Sequence, residues 1–236
     1  MYHWKRTVCL ALCFTLLFSL AVGAANTAEF TDSRDIVHKT AVETVTGLKI
    51  MGAKENGCFD SKGTVTRAEM CKIICLVLNG GNEPQFGQTT SSYADVEGHW
   101  AAGFIEYGEN IGFIAGRGDG TFDPDAPVTG VQAAKMLLVA IGFDTASEGF
   151  TGSDWAIAVN VRANQKGFYE GFDSLNPSSA IGRDDAAQMI YNALNAVMVR
   201  YDYMITSVNG ELQVTPALSD DKEGQTLLSR KFNITP

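Results

Sequence analysis

The fold is decided by residues 93–143, which read YADVEGHWAAGFIEYGENIGFIAGRGDGTFDPDAPVTGVQAAKMLLVAIGF. Residues 30–80 can be laid on this stretch at a constant offset of 63 without a gap. The aligned pairs include Phe30 with Tyr93, Asp32 with Asp95, Phe59 with Phe122, and Lys72 with Lys135. Repetition at this period is typical of one supersecondary unit used several times, each copy being unable to bury its apolar face alone.

A third and looser copy follows the first two. Trp155-Ala156 matches Trp100-Ala101 at an offset of 55, and Ile181-Gly182 matches Val128-Thr129 at an offset of 53. The difference of two residues falls in the loop between the matched segments. The sequence therefore predicts three copies, and their bounds are residues 30–80, 93–143 and 150–195.

The second copy shows the unit most clearly. Trp100, Phe104 and Ile111 recur at helical spacing, which predicts an amphipathic helix over about residues 100–111. Glycines and prolines over residues 112–127 indicate a looped crossing, and a second helix is expected to begin at Thr129. The predicted fold is mainly α, with helix-loop-helix copies.

The start of the second helix carries its own signal. Thr66-Arg67-Ala68-Glu69 is a capping box, in which the threonine hydroxyl and the glutamate each satisfy a backbone amide. Thr129 with Gln132 repeats this pattern in the second copy. Gly182 with Asp185 is a weaker version in the third.

The chain begins with a stretch of a different kind. Lys5 and Arg6 precede an apolar run from Thr7 to Val22, and small residues follow, which is the layout of a secretory signal peptide. The run is shorter than the roughly 20 residues that a membrane-spanning helix needs. We expect residues 1–24 to be removed on export, leaving no membrane segment.

The charge of the chain excludes some partners. Removal of Lys5 and Arg6, with no acidic residue among the first 24, changes the formal net charge from -9 to -11. A strongly acidic protein does not attract nucleic acid or an anionic membrane through its overall field. An anionic ligand would have to be held by local groups.

Three cysteines remain after this cleavage, and an odd number cannot form a closed disulfide framework. They are Cys58, Cys71 and Cys75. The interpretation we favour is that they are small buried apolar side chains. No metal site or cofactor site is predicted.

Several motifs together resemble the S-layer homology family, and in particular its clostridial branch. They are Tyr93-Ala94-Asp95, His99-Trp100-Ala101, Asp119-Gly120-Thr121-Phe122-Asp123-Pro124, and Thr66-Arg67-Ala68-Glu69. The resemblance implies a pseudo-threefold helical bundle that binds a secondary cell-wall polysaccharide, often one bearing pyruvyl ketals. It also implies a location on the cell surface, in a wall of the Gram-positive type, where other surface-layer proteins are further candidate partners.

The copies depart from the family pattern at several positions. Val37 stands where the first tryptophan is expected, Gly130 replaces the arginine of the second copy, and Gly182 replaces the threonine of the third. Three equivalent binding sites are therefore not expected.

The motif match suggests which residues bind. A helix start with free amides and a guanidinium fork makes a good carboxylate site. We therefore expect Arg67 and Arg183 each to hold an acidic wall sugar, with Thr66 and Glu69 shaping the helix start, and the groove at Gly130 to be weak or unused. Two tryptophans, Trp100 and Trp155, either pack in the core or line a sugar groove.

No catalytic residue is predicted. Asp184-Asp185 could suggest a carboxylate pair for glycoside hydrolysis, but adjacent residues at a helix start point in different directions. The expected function is therefore a wall-binding module and not an enzyme. The alternatives are a structural subunit of a surface layer, or the anchoring part of a longer surface enzyme.

Residues 196–236 belong to no copy. Residues 203–214 alternate around Asn209-Gly210, which predicts a β-hairpin. Three interpretations of this tail stay open: a small added sheet, a linker, or the stub of a longer protein.

Overall fold

The computed structural model describes residues 29–87, 91–209 and 211–235. These residues form seven helices and one two-stranded sheet: α1 (Lys39–Gly47), α2 (Arg67–Leu78), α3 (Ala102–Ile111), α4 (Gly130–Ala140), α5 (Trp155–Gln165), α6 (Arg183–Asn195), β1 (Val199–Val208), β2 (Glu211–Asp220) and α7 (Leu227–Phe232). The prediction of a mainly α fold with a C-terminal hairpin is confirmed. The predicted signal peptide lies outside the described residues. Across the described ranges, every helix is too short or too polar to cross a membrane.

The helices pack in a ring. Each first helix lies against the second helix of the preceding copy, so that α3 packs on α2, α5 packs on α4, and α1 packs on α6. The apolar face of one copy is thus covered by its neighbour, as expected for repeats that cannot fold alone. Because α1 returns to α6, the ring closes.

A cycle of three backbone hydrogen bonds marks the centre of the ring. The amide of Val128 donates to the carbonyl of Val65 at 2.9 Å, the amide of Ile181 donates to Val128 at 3.1 Å, and the amide of Val65 donates to Ile181 at 3.2 Å. All three side chains are buried. Since each residue lies just before the second helix of its copy, the cycle brings the three helix starts together around one pseudo-threefold axis.

The capping boxes at the first two helix starts are confirmed. Thr66 accepts from the Glu69 amide while Glu69 accepts from the Thr66 amide, and Thr129 and Gln132 exchange the same pair of bonds. These bonds satisfy amides that a helix start would otherwise leave without partners.

The prediction of a third capping box, at the start of α6, is wrong. Gly182 has no hydroxyl, and α6 has no side-chain cap. The two acidic side chains at this helix start turn instead toward α1. Asp184 accepts from the amides of Val37 and His38 at 3.1 and 3.2 Å, and Asp185 lies 3.6 Å from the His38 ring. The pair therefore joins the third copy to the first.

In the first two copies, the aspartate of the aromatic-x-Asp motif holds the loop that precedes the second helix. The Asp32 carboxylate accepts from the amides of Phe59 and Ser61 at 2.8 and 3.0 Å. In the second copy, Asp95 accepts from the amides of Phe122 and Asp123. Both phenylalanines are fully buried, so each aspartate holds in place the loop that delivers a large core side chain.

The cysteines of α2 lie in the core. Cys71 and Cys75 are fully buried and free, and Cys58 is free and partly exposed. Burial raises the pKa of the Cys71 thiol, and it raises the pKa of Cys75 to about 12. The interpretation of these two residues as apolar packing groups agrees with this placement.

The tail is attached to the helical ring. Strands β1 and β2 pair in antiparallel register from Val199 opposite Asp220 to Val208 opposite Glu211, and Leu227 and Leu228 of α7 are buried in the core. The linker interpretation is therefore wrong for this segment. One face of the hairpin is apolar, and its distal part is exposed; the exposed side chains on this face include Tyr203, Ile205, Leu212 and Val214.

Candidate functional site

A cavity of about 530 Å³ opens where the three copies meet on one side of the ring. It lies between the start of α2, the loop at residues 113–122, the middle of α4, and residues 150–155 at the start of α5. Three cationic side chains line it, namely Arg67, Arg117 and Lys135, together with Trp155. No aspartate or glutamate is among the residues that line it, although the whole chain is acidic.

Arg67 reaches from the first copy into the loop of the second. Its Nε donates to the Phe122 carbonyl at 2.9 Å, and its Nη2 donates to the Ala115 carbonyl at 3.1 Å. The guanidinium stacks on the Phe122 ring, with Cζ 4.3 Å from the centroid. Two of the five guanidinium N–H groups are therefore used for structure, and the other three make no hydrogen bond to the described residues.

Arg183 repeats the same contacts at another seam, meaning another contact between two neighbouring copies. This seam joins the third copy to the first. Its Nε donates to the Phe59 carbonyl at 2.7 Å, its Nη2 donates to the Gly52 carbonyl at 2.9 Å, and Cζ lies 5.0 Å from the Phe59 centroid. Phe59 and Gly52 match Phe122 and Ala115 at the offset of 63. However, Arg183 is only 5% exposed, whereas Arg67 is half-buried.

The expectation of free amides at the helix starts is wrong. The amides of Arg67 and Ala68 donate to the carbonyls of Ala126 and Pro124 in the next copy. The corresponding amides of α4 and α6 make equivalent bonds, with Ser179 and Pro177, and with Gly63 and Ser61, as acceptors. The first amides of these helices are therefore already hydrogen-bonded to a neighbouring copy, so an anion would have to be held by side chains.

Lys135 supplies such a side chain. Its Nζ lies 5.4 Å from the centroid of the Trp155 ring, and among the described residues no carboxylate oxygen lies within 4.0 Å of it. Burial lowers the pKa of Lys135, and the charge of Arg67 lowers it further. Burial also lowers the pKa of Arg67, with repulsion from Arg117 as the next cause. Arg117 is paired with Asp123 at 2.5 Å, which leaves Arg67 and Lys135 as the lining cations without a carboxylate partner among the described residues. Two such cations in a partly buried cavity favour an anionic ligand.

Of the remaining predicted site residues, Thr66, Glu69 and Trp100 are not among those that line this cavity. Thr66 is occupied by the capping box, and Glu69 forms an ion pair with Lys54 at 2.7 Å. Trp100 is 56% exposed, so the expectation of core packing is wrong for it. Trp155 is partly buried against the core and also lines the cavity, and its contact with a sugar stays a prediction.

The third seam lacks the features of the first. A Cβ added to Gly130 would lie 3.0 Å from Cα of Pro177 and 3.3 Å from Cγ2 of Ile181, so the loop of the third copy fills the place of an arginine stem. At the matching offsets this seam has Leu175 for Phe122, Gln188 for Lys135 and Val37 for a tryptophan.

Lys135, Arg117 and Phe122 were not among the predicted binding residues. Signals for two of them were present, because the self-comparison of the sequence aligns Lys135 with Lys72 and Phe122 with Phe59. The contact of Arg67 with Phe122 could not be found from local pattern, since the two residues are 55 positions apart.

One group of side chains has the composition of a metal site. Ligand atoms of His38, Asp184 and Asp185 lie within 4.8 Å of one another. Both oxygens of Asp184 already accept backbone hydrogen bonds, which accounts for its burial without an ion.

Comparison with known proteins agrees with the fold and the motifs. The profile of the S-layer homology domain matches residues 29–71 and 92–134. A cell surface protein of Thermoanaerobacter kivui is 30% identical over 205 residues, which are 85% of this chain and 26% of that protein. The middle cell wall protein of Brevibacillus brevis is 24% identical over 221 residues, 93% of this chain and 19% of that protein.

An uncharacterized cell wall amidase of Bacillus anthracis is 27% identical over 193 residues, 76% of this chain and 34% of that protein. The chain therefore spans about a third or less of each of these relatives. The names of the first two relatives support a role at the cell surface. The motifs at the seams of the ring and the two matched stretches agree: residues 29–71 and 92–134 are S-layer homology domains.

Proposed function

We propose that this chain is a non-enzymatic module that attaches without covalent bonds to an acidic glycan of the cell wall, through the cavity at Arg67. The observation that carries the proposal is the cavity itself, in which Arg67 and Lys135, neither paired with a carboxylate among the described residues, meet a tryptophan. The ligand we propose is a secondary cell-wall polysaccharide whose pyruvyl ketals present carboxylates.

The chemistry of the lining fits such a ligand. The free N–H groups of Arg67 and the ammonium of Lys135 bind a carboxylate through charge-assisted hydrogen bonds, which are stronger than neutral ones. Trp155 offers an apolar ring face for the carbon skeleton of a sugar. Thr66 and Glu69 fix the helix start that carries Arg67.

For Arg183 we propose a supporting role. Its guanidinium is buried and tied to two carbonyls of the first copy, and so it holds the third copy against the first. The groove at Gly130 is proposed to be unused, because the Arg, Phe, Lys and Trp positions are all replaced there.

We also propose that residues 150–195 are a third S-layer homology repeat. Ile181 takes its place in the central cycle of hydrogen bonds, and Arg183 makes the same contacts as Arg67. Export through residues 1–24 and attachment to a Gram-positive-type wall remain predictions. The same attachment would serve a surface-layer subunit or the anchoring part of a longer protein.

Wall binding of the protein without residues 1–25 tests the proposal. Native protein should bind purified walls and lose binding when the non-peptidoglycan glycan is stripped. Lys135→Gln should weaken binding by roughly tenfold, which corresponds to about 1.4 kcal/mol. The matched control is Lys222→Gln, the same change at an exposed lysine between β2 and α7. Equal binding by both variants, with circular dichroism showing both folded, would refute the assignment of the cavity.

A further inference from the structure

A second cavity, of about 510 Å³, lies at the seam that Arg183 holds. It is lined by Met51, Gly52 and Lys72, which match Ile114, Ala115 and Lys135 of the first cavity at the offset of 63. The two lysines also share their setting, since Nζ of Lys72 lies 5.4 Å from the centroid of the Phe104 ring and Nζ of Lys135 lies 5.4 Å from that of Trp155. The two cavities thus share a loop segment and a lysine, although neither Arg183 nor Trp100 lines the second one.

The two cavities differ in the state of the lysine. Nζ of Lys72 lies 2.5 Å from Oε1 of Glu83, a residue of the loop after α2 that also lines the second cavity. Extending the offset of 63 places Ala146 at the position of Glu83, and Ala146 offers no carboxylate. Of the two lysines that line the second cavity, Lys49 and Lys72, the one that matches Lys135 therefore already has an anionic partner from its own chain.

A second cation of this seam is neutralised in the same way. Lys54 matches Arg117 at the offset of 63, and its Nζ lies 2.7 Å from Oε1 of Glu69. The corresponding position to Glu69 in the first cavity is Gln132, which carries no charge. In the first cavity Arg117 is likewise paired, with Oδ2 of Asp123 at 2.5 Å, so the two cavities differ at the lysine and not at this second cation.

We propose that Glu83 stands in for the carboxylate of a ligand and keeps the second cavity closed as a latent anion site. The chain then binds one acidic ligand, at the first cavity, and removal of the Glu83 charge opens a second place for a ligand of the same class. The class of ligand rests on the proposed function; the closed state of Lys72 does not.

The ion pair is suited to such a role because it is weak. The side chains of Lys72 and Glu83 are 36% and 60% exposed, and exposed pairs contribute only up to about 1 kcal/mol. A ligand carboxylate that entered the cavity would have to displace Glu83 and would also be repelled by it. The pair therefore lowers affinity at this seam at little cost to the fold.

The first test uses binding in a background where the first cavity is disabled. The probe is methyl 4,6-O-(1-carboxyethylidene)-β-D-glucopyranoside, which carries one pyruvyl ketal, and the control probe is methyl β-D-glucopyranoside. By calorimetry, Glu83→Gln with Lys135→Gln should bind the acidic probe roughly tenfold more tightly than Lys135→Gln alone, the factor expected when a nearby like charge is removed. Glu83→Gln alone should bind two molecules where the native protein binds one. Equal binding with and without Glu83→Gln would overturn the inference.

The second test needs no ligand. The rate of acetylation of Lys72 by a water-soluble acetyl ester, followed by mass spectrometry, should increase by roughly two- to fivefold in Glu83→Gln, because the amine is released from its pair. Lys135 in the same sample is the control and should react at an unchanged rate. An unchanged rate at Lys72 would overturn the inference whatever the binding results, whereas a native protein that ignores the acidic probe while Lys72 responds would count against the proposed function.

Discussion

The guanidinium of Arg67 lies flat against the ring of Phe122, with 4.3 Å between Cζ and the ring centroid. The first residue of helix α2 is therefore a structural tie between two copies as well as a wall of the cavity. A variant at Arg67 would disturb both properties at once. For this reason Lys135, which makes no such tie, is the better residue on which to test binding.

The buried arginine should matter more for stability than the half-buried one. Arg183→Ala leaves the carbonyls of Phe59 and Gly52 without their charged donor, and we expect the free energy of unfolding to fall by about 3 kcal/mol. Arg67→Ala, whose site is open to water, should lose less. Urea denaturation of both variants measures the difference. A smaller loss for Arg183→Ala than for Arg67→Ala would contradict the assignment of Arg183 to the seam.

A methyl group at Gly130 should lower stability slightly, because the loop beside it lies close. Glycine to alanine in a helix is normally favourable, by up to about 1 kcal/mol. Here the added Cβ would lie 3.0 Å from Cα of Pro177, and the loop would have to shift, so we expect Gly130→Ala to lower stability by about 1 kcal/mol. Gly52→Ala is the control, because no atom lies within 4 Å of its added Cβ. If Gly130→Ala raised the denaturation midpoint, the third seam would have more room than the structure gives it.

Stability should fall at acid pH through the aspartates that fasten the loops. Burial acts to raise the pKa of Asp32, but hydrogen bonds from the amides of Ser61 and Phe59 outweigh it and lower the pKa below its usual 3.8. For Asp95 the amides of Phe122 and Asp123 likewise outweigh burial. A carboxyl with a lowered pKa in the folded state stabilises the fold above its unfolded pKa, and this contribution is lost as the pH falls through the folded value.

The measurement is the denaturation midpoint in urea from pH 7 to pH 2. Native protein should lose stability as the pH falls below about 3.8, whereas Asp32→Asn with Asp95→Asn should start lower at pH 7 and change less over the acid range. Superimposable acid limbs for the native and double-variant proteins would show that other carboxyls carry the dependence.

The three cysteines should react in two classes. Cys71 and Cys75 are buried, with thiol pKa values raised by burial, while Cys58 is partly exposed. Because the thiolate is the reactive form, iodoacetamide at pH 8 should modify Cys58 in native protein lacking residues 1–25 and leave the other two intact until urea is added. Peptide mapping by mass spectrometry gives the result. Modification of Cys71 in the folded protein would mean that α2 opens readily.

The structural features that were predicted correctly from the sequence depend on residues close together in the chain or on the repetition of the copies. The two capping boxes follow from residues three positions apart, and the hairpin follows from alternation around Asn209-Gly210. The third cap failed because Gly182 lacks a hydroxyl, and its acidic neighbours found a partner 146 positions away in the amide of His38.

The prediction of the binding residues had the same limit: residues could be named from the sequence, but contacts between copies could not. Arg67 and Trp155 were both named from the sequence, and the structure brings them to one cavity. The free amides were expected from helix geometry alone, but carbonyls from the next copy occupy them, and no local rule could supply that acceptor. Lys135 was visible in the alignment of copies, yet its meaning depended on the ring that sets it against Trp155.

The closure of α1 onto α6 fixes how many copies this architecture can hold. In an open stack of repeats, the terminal units leave a face on which another unit can be added, so copy number drifts freely through duplication. Here the last unit packs against the first. The backbone hydrogen bonds of Val65, Val128 and Ile181 form a closed cycle, so a fourth copy could not join without breaking one of them. Diversity must then arise by changing the seams individually, so that a ring built from three like parts comes to have one open cavity, one closed cavity and one seam filled by its own loop.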